Sequence, residues 1–371
     1  MKAFAVILAA CTVYGATNVP AGQKELYVYL ERQLNAVENV LATGSGPATN
    51  ITVAAELFAS DSARGELLFG KRARAYAIAV LDRIVSLGFS AVTVHIGTKE
   101  LIGATNAPQY AAYYRILAAE IRARKRGIRV VIDLPYGTNR TMQAVAKSIT
   151  AASAVIIREM SPDYLSVLQD PEYINARTGL LATPDDYRTL TQTVLTGLDS
   201  GRTHVGIIID AVNPEWFDAV AQLPVEYFDI RLSAVTRETA IEHCDIIARR
   251  AAELGKSVMM TGWLYKASPR ELAASGITND AVLVRDAFSL WAPLDERFVS
   301  MLLMNAKRIG AGYVSCSASA IFFGGVVYSE ITRGLSRSDA MELLEMNART
   351  NILNETVNPL GAAMRRTVKI R

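Results

Sequence analysis

The chain has 371 residues, of which 51% are hydrophobic and 20% are charged. This composition is typical of a folded protein with a sizeable core and excludes an intrinsically disordered chain. The 39 basic and 36 acidic residues leave a net charge of only +3, and the basic residues lie on predicted helix faces without interleaved aromatic residues. We therefore do not expect the protein to bind nucleic acid.

The first sixteen residues combine one lysine with a short apolar run. The run Ala3–Cys11 is too short to span a bilayer, so we expect an export signal rather than a transmembrane helix. Leu8–Cys11 has the form of a lipoprotein cleavage box, which would place a lipid anchor on Cys11. Two interpretations stay open: a secreted or lipid-anchored protein, or a cytoplasmic protein in which this segment is a buried strand. Cys244 and Cys316 fall in different predicted elements, a helix and a strand, and are expected to be buried thiols.

Residues 22–43 form a predicted amphipathic helix, which we expect to cover the bottom of the domain that follows. From residue 50 onward, short β-branched runs alternate with longer segments of helical period, as in a parallel sheet with crossover helices. Several of these helices are predicted to end at a capping glycine, such as Gly88 and Gly127. We count eight strands: Ile51–Phe58, Ala91–Gly97, Ile128–Pro135, Tyr164–Asp170, Val205–Val212, Tyr227–Ser233, Ser257–Tyr265 and Gly312–Ser319.

Eight successive strand and helix units predict a single (β/α)8 barrel over residues 50–371, preceded by the extra N-terminal helix. A doubly wound open sheet is the alternative. The sequence has no Gly-x-Gly-x-x-Gly between an early strand and its helix, which favours the barrel.

The catalytic groups of barrel enzymes lie at the C-terminal ends of the strands and in the loops that follow. Carboxylates near at least five strand ends exceed what a packed barrel needs, because burying an unpaired charge is costly. We therefore expect a functional site at this end, although any one carboxylate would also fit a salt bridge between loops. The candidates in chain order are Glu56, His95, Asp133, Gln169, Asp170, Glu172, Asp210, Asp229, Arg231, Trp263, Tyr265, Lys266, Ser315 and Ser317.

The three histidines are not expected to converge on one metal ion. His95 ends the second strand, His204 precedes the fifth strand at the opposite face, and His243 lies within a helix. We expect neither a metal nor a cofactor. The pair Gly324–Gly325 after the eighth strand fits either a phosphate-binding loop or a simple turn.

Three segments resemble strands of the clan A retaining glycoside hydrolases, a (β/α)8 group of endo-glucanases, mannanases and galactanases. Gly127–Pro135 is similar to the third strand, which ends Asp-Leu-His in that group. Asp163–Pro171 is similar to the fourth strand, which ends Asn-Glu-Pro and supplies the acid/base. Lys256–Trp263 is similar to the seventh strand, which supplies the nucleophile. The resemblance implies a barrel that acts on or binds a saccharide.

Two positions depart from the pattern of that group. The acid/base position falls on Asp170, preceded by Gln169, and the nucleophile position falls on Gly262, which has no side chain. A retaining mechanism needs two carboxyls about 5 to 5.5 Å apart. The resemblance therefore implies at most one member of that pair.

Three functions remain open. The first is an active glycosidase with relocated carboxylates, for which Asp170 or Glu172 is the candidate acid and Asp133, Asp210 or Asp229 the candidate base. Its candidate saccharide-binding residues are Gln169, Trp263, Tyr265, Lys266, His95, Asp229 and Arg231.

The second function is a catalytically inactive carbohydrate-binding barrel. It would keep aromatic side chains to stack on sugar rings, such as Tyr136, Tyr173, Trp263 and Tyr265. The third function is an unrelated lyase or aldolase that uses Lys266 as a Schiff-base amine, although we expect Lys266 to be a solvated loop residue.

Overall fold

The computed structural model describes residues 19–42, 50–57, 68–135, 137, 141–275, 279–316 and 319–369. The segment with Cys11 and the candidate residues Tyr136 and Ser317 lie outside these ranges. Eight parallel strands close into a barrel, in which each strand pairs with the next and β8 pairs with β1. The predicted (β/α)8 fold is confirmed. The strands are β1 (Thr52–Glu56), β2 (Ala91–Gly97), β3 (Gly127–Asp133), β4 (Tyr164–Leu168), β5 (His204–Asp210), β6 (Tyr227–Leu232), β7 (Ser257–Gly262) and β8 (Tyr313–Cys316).

Helices surround the barrel and connect each strand to its neighbour. The α-helices are α1 (Ala21–Ala42), α2 (Lys71–Leu87), α3 (Thr98–Leu101), α4 (Ala107–Ala123), α5 (Met142–Met160), α6 (Pro171–Thr178), α7 (Pro184–Thr196), α8 (Glu215–Val220), α9 (Cys244–Glu253), α10 (Pro269–Ser275), α11 (Asp280–Leu283), α12 (Ala292–Arg308), α13 (Arg337–Leu353) and α14 (Pro359–Lys369). A π-helical turn, Glu238–His243, leads directly into α9. Within the described ranges no helix is long and apolar enough to cross a membrane.

The ends of the helices show how the chain turns back into the barrel. Gly88 closes α2 with φ 102°, a left-handed conformation that glycine adopts without strain. The prediction that Gly127 caps α4 is wrong, because Gly127 opens β3 and Lys125 takes the left-handed conformation with φ 56°. Cys244 and Cys316 are buried, the first at the start of α9 and the second in β8, as predicted.

Helix α1 packs along α12 on the outer wall of the barrel. The ring of Tyr27 stacks on that of Trp291 at 5.8 Å, and Arg297 of α12 donates from Nε to Glu38 at 3.1 Å. The apolar face of α1, which includes Leu30 and Leu34, is buried. The prediction that this helix covers the bottom of the barrel is wrong, because an amphipathic pattern shows that a face is buried and does not show against which element.

The bottom of the barrel lumen is filled by aromatic rings. Tyr164 lies edge-to-face against Tyr227 and Tyr313, with ring centroids 5.7 and 5.6 Å apart. Gly206 faces this layer, and a Cβ atom there would overlap the ring of Tyr227. The absence of a side chain at Gly206 therefore makes room for this ring.

Above the rings, a buried ion pair spans the lumen. Arg129 of β3 pairs with Asp229 of β6, and both side chains are fully buried. Arg129 also donates to Thr261 at 2.7 Å and to Ser166 at 2.9 Å, and Thr261 donates to Asp229 at 2.9 Å. We call these four residues the interior network. It separates the packed lower lumen from the polar upper end.

Candidate functional site

Side chains from seven neighbouring strands or strand ends meet at the C-terminal end of the lumen. Alternate residues of a strand point to the same side, so the residue two positions beyond an interior one also faces the lumen. Asp133 thus follows Arg129 and Val131 on β3, and Arg231 follows Asp229 on β6. We call this region the barrel mouth and define it by Glu56, His95, Asp133, Gln169, Asp170, Glu172, Tyr173, Asp210, Arg231 and Trp263.

His95 joins two carboxylates of the barrel mouth. Its Nε2 lies 3.1 Å from Glu56 Oε1, and its Nδ1 lies 3.2 Å from Asp133 Oδ2. Burial alone would lower the pKa of His95, but the carboxylates of Asp133 and Glu56 raise it to about 10. His95 is therefore an imidazolium at neutral pH.

Asp133 keeps its charge although it is partly enclosed. Burial would raise the pKa of Asp133, but the charge and hydrogen bond of His95, the hydroxyl of Tyr173 and the charge of Arg177 together lower it below its ordinary value. The Tyr173 hydroxyl donates to Asp133 Oδ1 at 3.2 Å. About a third of the Asp133 side chain, 34%, is still exposed. Asp133 is thus an accessible carboxylate.

Gln169 and Arg231 connect Asp133 to Asp170. The Gln169 amide donates to Asp133 and to the carbonyl of Ile132, while its oxygen accepts from Arg231. Arg231 also pairs with Asp170, which is buried. The other oxygen of Asp170 accepts from the backbone N–H of Tyr173 at 2.9 Å and so caps α6. Both oxygens of Asp170 therefore have a hydrogen-bond donor.

Two further carboxyls, Asp210 and Glu172, form no salt bridge with a described residue, although the charge of Arg231 acts on Asp210. Asp210 is 3% exposed; one oxygen accepts from the Val212 N–H at 2.8 Å, and Oδ2 has no hydrogen-bond partner in the described chain. Burial and the charge of Asp170 raise the pKa of Asp210 to about 7. Glu172 is half-buried and accepts from the Asn213 amide, and burial followed by the charge of Asp170 raises its pKa. Both carboxyls hold a proton more readily than ordinary carboxyls.

Two half-buried aromatic residues border the barrel mouth. The ring of Tyr173 lies 5.0 Å from the Arg177 guanidinium and 6.0 Å from that of Arg231. Trp263 directly follows β7 and is partly exposed. Tyr265 is only 2% exposed and packs against Ala267, so its ring is not open to a ligand at the mouth.

The structure corrects the role assigned to position 262. A Cβ atom on Gly262 would lie 2.6 Å from the carbonyl oxygen of Leu232 and 3.1 Å from Leu302 of α12. Position 262 therefore faces the helices. Thr261 faces the lumen, and Trp263 follows it on that side, so neither this strand nor Trp263 brings a carboxylate to the mouth.

Lys266 lies apart from the barrel mouth. The prediction that it is a solvated loop residue is wrong. It is 2% exposed and pairs with Asp286 at 2.7 Å and Asp295 at 2.9 Å. Burial would lower the pKa of Lys266, but these two aspartates raise it above the ordinary value. The side chain borders a small cavity beside Gly262 and Cys316. Lys266 is therefore an ammonium group in an internal salt bridge.

The remaining candidates lie deeper in the fold. Asp229 belongs to the interior network, and Ser315 forms a buried hydrogen bond of 2.7 Å with Thr93. A Cβ atom on Gly324 would lie 2.5 Å from the carbonyl oxygen of Leu344, so this glycine permits close packing against α13. Its packing role favours the simple turn over the phosphate loop.

Two side chains of the site were missed by sequence reasoning. Arg177 follows Tyr173 by four residues on α6, a spacing that places two side chains on the same helical face. Asn213 lies in the loop after β5 and donates to Glu172, which follows β4. The helical spacing was a usable signal for Arg177. Asn213 contacts a residue of α6 that lies forty-one positions away in the sequence, so no local pattern identifies it.

Comparison with known proteins gives matches only among solved structures. No protein-family model and no curated protein matches the chain. A GH5_18 protein from Streptomyces cattleya in complex with GlcNAc superimposes with a TM-score of 0.52 at 12% identity, covering 88% of this chain and 80% of that chain. The exo-β-1,4-mannosidase Op5Man5 from Opitutaceae bacterium strain TAV5 superimposes with a TM-score of 0.50 at 10% identity, covering 82% of this chain and 60% of that chain.

This chain shares the fold of these glycoside hydrolase barrels. The resemblance inferred from three strands is therefore confirmed for the architecture. At such low identity the likeness concerns the fold alone, and the chemistry must be argued from the residues of the barrel mouth.

Proposed function

We propose that the protein binds a saccharide at the barrel mouth and hydrolyses a glycosidic bond there, with Asp133 as the base and Glu172 as the acid. The observation that carries this proposal is the arrangement of these two carboxyls around Tyr173. The Tyr173 hydroxyl donates to Asp133, and Glu172 is the preceding residue on α6. Both are partly exposed, so both are open to a ligand that enters the mouth.

The environments of the two carboxyls suit opposite roles. The charge of His95 outweighs burial and lowers the pKa of Asp133, whereas burial and the charge of Asp170 raise the pKa of Glu172. Glycoside hydrolysis needs one carboxyl that gives a proton to the leaving oxygen and one carboxylate that activates water or attacks the sugar. A raised pKa suits Glu172 to the role of proton donor, and a lowered pKa suits Asp133 to the role of carboxylate.

The other side chains of the mouth support the binding of a sugar. Gln169 and Arg231 hold Asp133 and Asp170 in fixed positions, which limits the cost of ordering the site when a ligand binds. Trp263 and Tyr173 offer aromatic surface next to polar groups, a combination that suits the apolar faces and hydroxyls of a sugar ring. The related folds include a mannosidase and a barrel solved with GlcNAc, which supports the same ligand class by analogy.

Activity on aryl glycosides and on a panel of polysaccharides tests this proposal. Asp133→Asn and Glu172→Gln should each lower kcat/KM by about 10²- to 10⁴-fold, because each removes proton transfer in the transition state. Asp185→Asn, which removes a carboxylate from the exposed start of α7, is the matched control and should leave activity unchanged. Full activity in Asp133→Asn would rule out Asp133 as the base.

A second candidate is a saccharide-binding barrel without catalysis. The observation that favours it is the end of β7, where Thr261 and Trp263 occupy the positions on the lumen side and neither has a carboxylate. In this case the wild-type protein binds glycans and hydrolyses none of them. Saturation binding measured beside turnover, on the same preparation, separates the two candidates.

The lyase or aldolase hypothesis finds little support in the surroundings of Lys266. A Schiff-base lysine must lose its proton near neutral pH. Two aspartates pair with this side chain and stabilise the protonated form.

A further inference from the structure

Among the described residues, the barrel mouth has five carboxyls, which face two cations within the mouth and Arg177 beside it. His95 contacts Glu56 and Asp133, and Arg231 pairs with Asp170. The carboxyls left over in the described part of the mouth are Asp210 and Glu172. Burial and the charge of Asp170 make both carboxyls hold a proton more readily, and a cationic ligand would favour the ionised form.

Asp210 adds an observation independent of the charge count. Its Oδ2 is buried and has no hydrogen-bond donor among the described residues. The hydroxyl of Ser233, two residues beyond Arg231, is also buried without a partner there. A buried polar atom without a partner costs free energy, and such atoms at a mouth are satisfied when a ligand brings the missing donor.

The donor that fits best is an ammonium group. A protonated amine carries three N–H donors and a positive charge, whereas a sugar hydroxyl carries one donor and no charge. Hydrogen bonds between charged partners are also stronger than those between neutral groups. An acidic sugar would instead add a further carboxylate beside Glu172 and Asp210, which like-charge repulsion opposes.

We propose that the preferred ligand is an amino sugar with a free ammonium group, which Asp210 binds at the mouth. This inference rests on the proposed saccharide binding and narrows its substrate class. Asp210 offers Oδ2, which no described residue satisfies, while the half-exposed Glu172 keeps the proton that its role as the acid requires. The ammonium group of the sugar supplies Asp210 with a cation and with hydrogen-bond donors.

Three β-1,4-linked oligosaccharides of equal length test the inference, because they differ only in one substituent of each ring. They are glucosamine, N-acetylglucosamine and glucose oligomers, titrated calorimetrically into the full chain at about pH 7, where the amine keeps most of its protons and about half of Asp210 is ionised. We expect the glucosamine oligomer to bind about 10- to 100-fold more tightly than the other two. The preference should shrink as salt is added, because an exposed part of the attraction is screened.

Variants test whether the preference for the glucosamine oligomer depends on Asp210. Asp210→Asn should abolish most of it, and Asp210→Ser, which also removes the carboxylate, makes the same test if Asp210→Asn fails to fold. Asp185→Asn makes the same charge change on an exposed surface and should retain the preference.

The outcomes separate this inference from the proposed function. Binding of a neutral or acetylated oligomer as tight as that of the glucosamine oligomer overturns the inference and leaves saccharide binding intact. Binding only of saccharides other than these three oligomers also overturns the inference and leaves saccharide binding intact. The absence of binding to every saccharide contradicts both.

Discussion

Two arginine–aspartate pairs lie one above the other in this barrel, and their surroundings differ. Arg129 and Asp229 are fully buried in the interior network, one cation against one carboxylate. Arg231 and Asp170 lie at the mouth, next to Asp210 and Glu172, which form no salt bridge with a described residue. Arg129 and Arg231 thus stand on β3 and β6 at different heights of the same lumen.

The difference indicates which charges serve the fold. In the interior network Thr261 donates to Asp229 and accepts from Arg129, and Ser166 accepts from Arg129 as well. Both side chains of this pair are fully buried, so it joins strands across the closed lumen out of reach of a ligand. At the mouth the described carboxyls outnumber the described cations, so the electrostatic field there can attract a cationic ligand.

The largest expected effect comes from breaking the interior pair. Arg129→Leu leaves the Asp229 carboxylate buried without a cation and should lower the free energy of unfolding by about 3–5 kcal/mol. Urea denaturation measures this loss. The double variant Arg129→Leu with Asp229→Leu should recover part of it, because the uncompensated charge is then absent. A loss below about 1 kcal/mol in the single variant would contradict the assignment.

Breaking the pair at the mouth should cost less stability. Arg231→Leu leaves Asp170 with its bond from the Tyr173 N–H and with water that enters from the mouth, so we expect a loss of about 1–3 kcal/mol. The same variant frees Gln169 and should weaken saccharide binding. A stability loss as large as that of Arg129→Leu, measured under the same conditions, would show that the two pairs do not differ in solvation.

Gly262 tests which side of β7 faces the mouth. Gly262→Ala places a methyl group against the Leu232 carbonyl and α12, so we expect a loss of about 1–2 kcal/mol from overpacking. Gly22→Ala is the control, because a Cβ atom there meets nothing within 4 Å. Thermal denaturation compares the two. An unchanged melting temperature in Gly262→Ala would mean that position 262 opens toward the lumen after all.

The smallest expected effect concerns His95 and depends on pH. Its pKa is raised to about 10 in the folded protein, so the stabilisation by its charge is fully present below about pH 6.5 and is lost as the pH rises toward 10. Because a third of the side chain is exposed, we expect His95→Gln to cost only about 1 kcal/mol at pH 6 and nothing above pH 10. A difference that stays constant across this range would contradict the ion pairs of His95.

The sequence predicted the barrel well because its signals are local. Each strand is a short β-branched run, and β2 begins and ends at the predicted residues, Ala91 and Gly97. Strand ends also predicted which polar side chains gather at the mouth, such as Asp133 and Arg231. These features depend on periodicity and topology, which a single sequence records.

The surroundings of individual residues were beyond such reasoning. Lys266 was expected in solvent because it follows a strand in a loop, but Asp295, twenty-nine residues later, pairs with it in the core. The resemblance to the seventh strand of the glycoside hydrolases placed the nucleophile position on Gly262. The pairing of β7 with its neighbours decides that this residue faces the helices and not the lumen. The burial and the ionisation of such a side chain depend on residues far away in the sequence, so they follow only from the three-dimensional structure.

Calorimetric titration of the full chain with a panel of plant and microbial glycans tests the central claim most directly. We expect at least one glycan to bind. Trp263→Ala should weaken this binding by about 10-fold or more, because it removes an aromatic side chain from the mouth. Failure of every glycan to bind to a chain whose circular dichroism shows the folded barrel would contradict it.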